Sequence, residues 1–195
     1  MSAVLVFDLG GVVCEFRPHA RLAALSRASG LHPDAVRRAL WESGLEARAE
    51  RGALGRHEAV DLVLAALDHR IDRSALIEAW SRAFRPNVAL CALIRELPPP
   101  VYALSNNGPI VRECLDRELA GVASLFERVV LSWELSAVKP DPVAYSRLAA
   151  TLDLAPQDAI VIDDSTENCR AARRVGFGAI RYRGPADLMR RLGRT

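Results

Sequence analysis

Asp8, Ser105, Asn106, Lys139, Asp163 and Asp164 are the side chains whose types and settings could do chemistry here, and together they suit the binding of an oxyanion beside a divalent cation. Of the 26 lysines and arginines only Lys139 is a lysine, within Ala137-Val138-Lys139-Pro140-Asp141-Pro142. Arginine is a planar fork and lysine a compact point charge, so a tight polar pocket needing one positive charge selects lysine. The alternative is a solvated loop lysine in an arginine-biased chain. Asp8 follows the apolar run Val4-Leu5-Val6-Phe7 and precedes Leu9-Gly10-Gly11, where glycine lets the backbone approach a ligand closely. An aspartate at a strand end can also be satisfied by local N–H groups. Ser105-Asn106-Asn107-Gly108 end a second apolar run from Val101. Their hydroxyl, amides and backbone donors suit a phosphate oxygen or a carboxylate. Asp163 and Asp164 end a third run from Ala159. Adjacent carboxylates repel unless donors or a cation neutralise them, and an oxygen-only set without His or Cys suits magnesium. Alternatively Asp163 caps a helix over 166–175, in competition with Ser165.

Those groups need elements that bring them together. Short apolar runs closed by turn signals read as buried parallel strands, whose carboxyl ends face the ligand crevice of an open α/β sheet. Strands near 101–105, 129–132, 160–163 and 179–182 alternate with helices near 88–97, 109–119, 141–152, 166–175 and 185–192. That alternation predicts an α/β fold, a Rossmann-like parallel sheet covered on both faces. Residues 16–88 show no strand pattern. Two helices are expected at 18–29 and 33–43. Val60, Val63, Leu64 and Leu67 follow helical spacing, and Leu76, Ile77, Trp80 and Phe84 line one face of another helix. Trp41 and Trp80 are expected to pack within that small bundle. The division is therefore a core of residues 1–15 and 89–195 with an inserted helical cap, 16–88, too small for a fully independent core.

Taken in order, Asp8 to Val12, Ser105-Asn106, Lys139-Pro140, and Asp163-Asp164 followed by Asn168 resemble the four signature motifs of the haloacid dehalogenase-like hydrolase superfamily. Phe7-Asp8-Leu9-Gly10 is most similar to a branch with a helical C1-type cap that includes bacterial sugar-phosphate phosphatases of the glucose-1-phosphatase kind. The resemblance implies a magnesium-dependent phosphatase acting on a small phosphorylated metabolite. Asp8 would be the nucleophile, forming an aspartyl-phosphate. Ser105 and the Asn106 backbone would hold phosphoryl oxygens. Lys139 would bridge Asp8 and the phosphate. Magnesium would take Asp8, the Gly10 carbonyl and Asp164, with Asp163 in direct contact or acting through water. Most phosphatases of this superfamily carry a second aspartate where this chain has Gly10, and it serves as general acid and base. Its loss removes about 100-fold to 10,000-fold unless a substitute exists; the substrate, water, Glu15 or His19 are the available ones. Gly10 also keeps open a non-catalytic phosphate-binding protein. Dehalogenation is the third reading, because halide leaves without a proton.

Composition sets the surroundings. Formal net charge is +2 and the basic residues are scattered along helices, which leaves no nucleic-acid footprint. The N-terminal apolar run is too short for a signal or membrane segment, so the expectation is a soluble cytoplasmic protein with no membrane or nucleic-acid partner. Oligomeric state is not encoded in any readable pattern. Cys14, Cys91, Cys114 and Cys169 lack metal spacing and are expected to be reduced core residues, Cys14 lying near Asp8. His19, His32, His57 and His69 fall in the expected cap and read as solvated.

Overall fold

A computed structural model describes residues 3–193. Its centre is β1 (Val4–Phe7), whose backbone joins β4 (Val101–Ser105) on one side and β6 (Ala159–Asp163) on the other, both parallel. The edges are β5 (Arg128–Leu131) and β7 (Gly178–Arg181), giving the order β5-β4-β1-β6-β7. The apolar runs are strands for a simple reason. Successive side chains face opposite sides of the sheet, and both sides are covered. Leu5 and Phe7 join one hydrophobic cluster, while Val6 joins another with Leu104, Val130, Tyr145 and Val161.

Helices α6 (Val88–Arg95), α7 (Pro109–Asp116), α10 (Pro142–Leu152), α11 (Thr166–Arg174) and α12 (Pro185–Arg191) fall where the alternation places them. Short helices α8 (Ala120–Ala123) and α9 (Ser132–Leu135) are additional. α9 matters below because it continues directly from β5 beside the strand-end groups.

Between β1 and β4 run α1 (Pro18–Ser29), α2 (Pro33–Arg37) continued by a π-turn over Arg38–Glu42, α3 (Leu45–Glu50), α4 (Arg56–Ala66) and α5 (Arg73–Ser81). One expectation fails here. Residues 84–86 are a strand: β3 (Phe84–Pro86) pairs antiparallel with β2 (Cys14–Phe16), so the chain's way into the helices and its way back lie side by side. The aromatic pair Phe16–Phe84, with ring centroids 5.7 Å apart, stiffens this crossing. Phe84 belongs to that strand and not to a helix face.

Leu25, Val60, Leu76 and Trp80 share one continuous apolar cluster with Phe7 and Ile110. The helical segment therefore packs through the sheet's own core, as its size requires. Arg21 is nearly fully buried within it, donating to both carboxylate oxygens of Glu46 and lying over the rings of Phe16, Trp41 and Trp80. Trp80 is buried and Trp41 packs partly buried against the cluster. All four histidines are exposed. All four cysteines are buried and free, and burial with Cys91 nearby pushes the Cys14 thiol up to about 12, so it is no nucleophile.

Candidate functional site

Three central strands end at one place. Asp8 follows β1, its N–H bonded to the Ile162 carbonyl at 2.9 Å; Ser105 closes β4 and Asp163 closes β6. Asp8 and Ser105, with Gly10, Gly11, Asn106, Lys139, Asp164 and Asn168, border a cleft of about 300 Å³. Asp163 lies beneath this lining, fully buried. Every residue that the sequence singles out for phosphate, lysine or metal chemistry is thus gathered at the carboxyl end of the sheet.

Lys139 is the electrostatic centre. Its ammonium is buried and donates to Asp8 Oδ2 at 2.9 Å, Asp163 Oδ2 at 2.8 Å and the Leu104 carbonyl at 3.2 Å. Burial disfavours its charge, yet the two carboxylates outweigh that and hold its pKa above the ordinary lysine value. Asp8 is also raised, which for a carboxyl disfavours the charged form. Burial, reinforced by the charge of Asp163, raises it to about 6 against the pull of Lys139. The loop bearing the lysine is clamped by Asn106, whose side chain accepts from the Lys139 N–H and donates to the Lys139 carbonyl, both at 2.8 Å. Asn106 therefore has a positioning task that its motif did not reveal.

Asp163 and Asp164 divide their work. The Asp163 carboxylate accepts from Lys139 Nζ, from Asn168 Nδ2 on both oxygens and from the Ser165 N–H, so four contacts already neutralise it. It is not the helix cap; Ser165 Oγ caps α11 by accepting from the Asn168 N–H at 3.2 Å. Asp164 is exposed beside the cleft. Oxygens of Asp8, Asp163 and Asp164 lie within 4.8 Å of one another. That all-oxygen set fits a hard divalent cation such as magnesium.

Two glycines differ in what they permit. Gly11 has φ +81, and a Cβ there would run into the Asp164 carboxylate. Gly11→Ala should therefore displace the Asp164 carboxylate, with weakened binding in a direct divalent-cation titration as the measured signature. Gly10 is ordinary: its φ is not positive, and a Cβ would meet Phe16 at 3.6 Å, normal contact. A Cβ at position 10 therefore meets no steric bar.

Neither suggested substitute lines the cleft. Glu15 is exposed and lies 3.6 Å from Arg85, and His19 is exposed on α1. Glu50, at the end of α3, does line it. Its segment, Glu46-Ala47-Arg48-Ala49-Glu50-Arg51, reads as a solvated charged face, which is why the sequence conceals it.

Comparison with known proteins now adds the lineage. The haloacid dehalogenase-like hydrolase family matches residues 3–176. This chain belongs to that family. It is a hydrolase of the haloacid dehalogenase-like type, 30% identical over 205 residues to a phosphoserine phosphatase of Thermus thermophilus, a match covering 92% of this chain and 81% of that one. It is also 27% identical over 81 residues to bifunctional epoxide hydrolase 2 of Mus musculus, 42% of this chain but 15% of that protein's length. Its fold is shared with a HAD family enzyme of Bacteroides thetaiotaomicron: TM-score 0.78, 21% identity, 99% of this chain and 98% of the other covered. That enzyme has also been crystallised with magnesium and inorganic phosphate. No helix among the described residues is long and apolar enough to cross a membrane.

Proposed function

We propose that this hydrolase is a magnesium-dependent phosphatase of small phosphate monoesters, sugar phosphates foremost, working through an aspartyl-phosphate on Asp8. The observation that carries this reading is the Lys139 ammonium held between Asp8 and Asp163 at the cleft. A phosphate dianion repels an attacking carboxylate, so positive charge must be fixed beside the nucleophile beforehand. Asp8 would attack phosphorus, Ser105 Oγ and the Asn106 N–H would hold phosphoryl oxygens, and Lys139 would bridge carboxylate and phosphate. Asp8, the Gly10 carbonyl and Asp164 would hold magnesium, Asp163 supporting from behind; when bound, the ion neutralises phosphoryl charge. The phosphoserine phosphatase relative and the magnesium and phosphate complexes of the similar Bacteroides enzyme support this assignment.

In the same reading residues 1–15 and 89–195 are the catalytic core and 16–88 a C1-type helical cap, and the Phe7-Asp8-Leu9-Gly10 start supports the glucose-1-phosphatase-like branch. Phe16 and Phe84 line the cleft. Flat aromatic faces suit the C–H face of a sugar, and about 300 Å³ suits a small metabolite. Halide displacement would leave the Asp164 carboxylate without a task. p-Nitrophenyl phosphate and acetyl phosphate should be hydrolysed with magnesium, EDTA should abolish the reaction, and a sugar-phosphate panel should then find the preferred substrate. Undiminished turnover without divalent metal would sink the metal assignment.

A further inference from the structure

An alkoxide leaving group must acquire a proton as its bond to phosphorus breaks, and the water that later attacks the aspartyl-phosphate must lose one. The titratable side chains lining the cleft are Asp8, Lys139, Asp164 and Glu50. Asp8 is the attacking group in the proposed reaction. Lys139 spends its three donors on Asp8, Asp163 and Leu104, and Asp164 belongs to the metal set. Glu50 remains, and it comes from the helical segment, whereas the others come from the carboxyl end of the sheet.

Its position is built. The Glu50 carbonyl accepts from Ser132 Oγ on α9 at 2.8 Å; Ser132 Oγ accepts from the Asn107 N–H at 3.0 Å; and Asn107 Nδ2 donates to Ser105 Oγ at 2.9 Å. One chain of hydrogen bonds thus ties the end of α3 to the residue assigned to the phosphoryl oxygens. Just beyond, Gly52 has φ +75, and a Cβ there would lie 2.6 Å from the Trp133 carbonyl, so the turn after Glu50 seats flush on α9. The Glu50 carboxylate makes no hydrogen bond or ion pair among the described residues, which leaves it free for a ligand.

We propose that Glu50 is the general acid and base of this enzyme, taking over the task that position 10 leaves undone. The inference rests on the phosphatase reading. In the first step the bond from Asp8 oxygen to phosphorus forms and the ester P–O bond breaks. The departing oxygen takes the Glu50 proton. In the second step the water oxygen bonds to phosphorus, the Asp8–phosphorus bond breaks, and Glu50 recovers a proton from that water. Alcohol and inorganic phosphate leave, and the enzyme is restored.

The electrostatics suit both duties. Burial, with Glu46 adding to it and Arg21 and Arg51 opposing, raises the Glu50 carboxyl to about 7. A group poised there can give and take a proton near neutrality. Asp8, Asp164 and Lys139 line the same cleft, while the charged groups acting on the Glu50 carboxyl are Glu46, Arg21 and Arg51. Because the acid form is needed first, hydrolysis of alkyl phosphates should decline as pH rises through about 7.

The test uses Glu50→Gln, with circular dichroism and melting as the fold control and two substrates of unlike leaving group. p-Nitrophenolate leaves without help, so the variant should release one equivalent in a burst and then turn over about 100-fold slower or worse, since the base is missing. A sugar phosphate or alkyl phosphate should lose both phases. Glu50→Gln combined with Gly10→Asp should regain alkyl phosphate hydrolysis, a rescue that no purely structural role for Glu50 would give. Turnover of Glu50→Gln within about threefold of wild type on both substrates, or equal losses on both without a burst, overturns the proposal while the phosphatase reading stands. If the wild-type enzyme hydrolyses no phosphate ester at all, the reading itself has failed and Glu50 falls with it.

Discussion

Asp8→Asn is expected to abolish phosphatase turnover, by about 10,000-fold or more, while leaving the fold nearly untouched. The asymmetry follows from the site's electrostatics. Asp8 is 9% exposed, and its carboxylate stays ionised against a burial that raises it to about 6. Asparagine keeps an oxygen that accepts a hydrogen bond and removes the charge that burial opposes. Lys139 retains Asp163 at 2.8 Å, so neither remaining charge is stranded. The melting temperature should therefore move by only a few degrees, as for a change of about 1 kcal/mol. Chemistry has no such reserve, because an amide cannot form the acyl-phosphate. The decisive measurement is covalent trapping: beryllium fluoride, or phosphate from acetyl phosphate, should label Asp8 in the wild type and nothing in the variant. A label elsewhere would remove Asp8 from the mechanism.

That experiment targets a residue legible in the sequence, and the reason it was legible is general. Apolar runs that stop at Asp8, Ser105 and Asp163 mark buried parallel strands, and such strands deliver whatever follows them to one end of the sheet. β4 spans Val101–Ser105 as the pattern requires, and β1 and β6 agree within a residue or two. What stayed hidden depends on contacts far along the chain. Glu50 sits in a charged hexapeptide, and only Ser132, 82 residues later, fixes it over the cleft. The short pair β2–β3 is three residues long on each side and joins positions on either side of the whole helical segment, so no local period announces it. The π-turn at Arg38–Glu42 keeps a helix-like spacing, so its letters look like plain helix. Asp163 and Asp164 look equivalent as letters. Asn168, one helical turn on, separates them by occupying both oxygens of the first.

Lys139 offers the sharpest trial of why one lysine survives among 26 basic residues. Its ammonium points three donors at Asp8, Asp163 and the Leu104 carbonyl, converging on one atom in a space where the residue is 5% exposed. A guanidinium spreads its donors over a rigid plane and needs more room, so Lys139→Arg should lose turnover almost as completely as Lys139→Ala. The two should differ in stability. Alanine strands a fully buried Asp163 carboxylate beside Asp8, at a cost of about 3–5 kcal/mol, or about 6–20 °C in melting temperature for a chain of this size. The pH dependence follows with a definite sign. Without the lysine, burial and the neighbouring Asp163 charge raise the folded-state pKa of Asp8 further, so the folded state tolerates it protonated and is penalised as it ionises. The stability gap to wild type should accordingly narrow as pH falls from about 8 to about 5, when Asp8 regains its proton. A gap that stays constant over that range would mean that packing, and not charge, is what the alanine removed. Near-normal turnover in Lys139→Arg would show that any cation suffices there, and the point-charge argument would be lost.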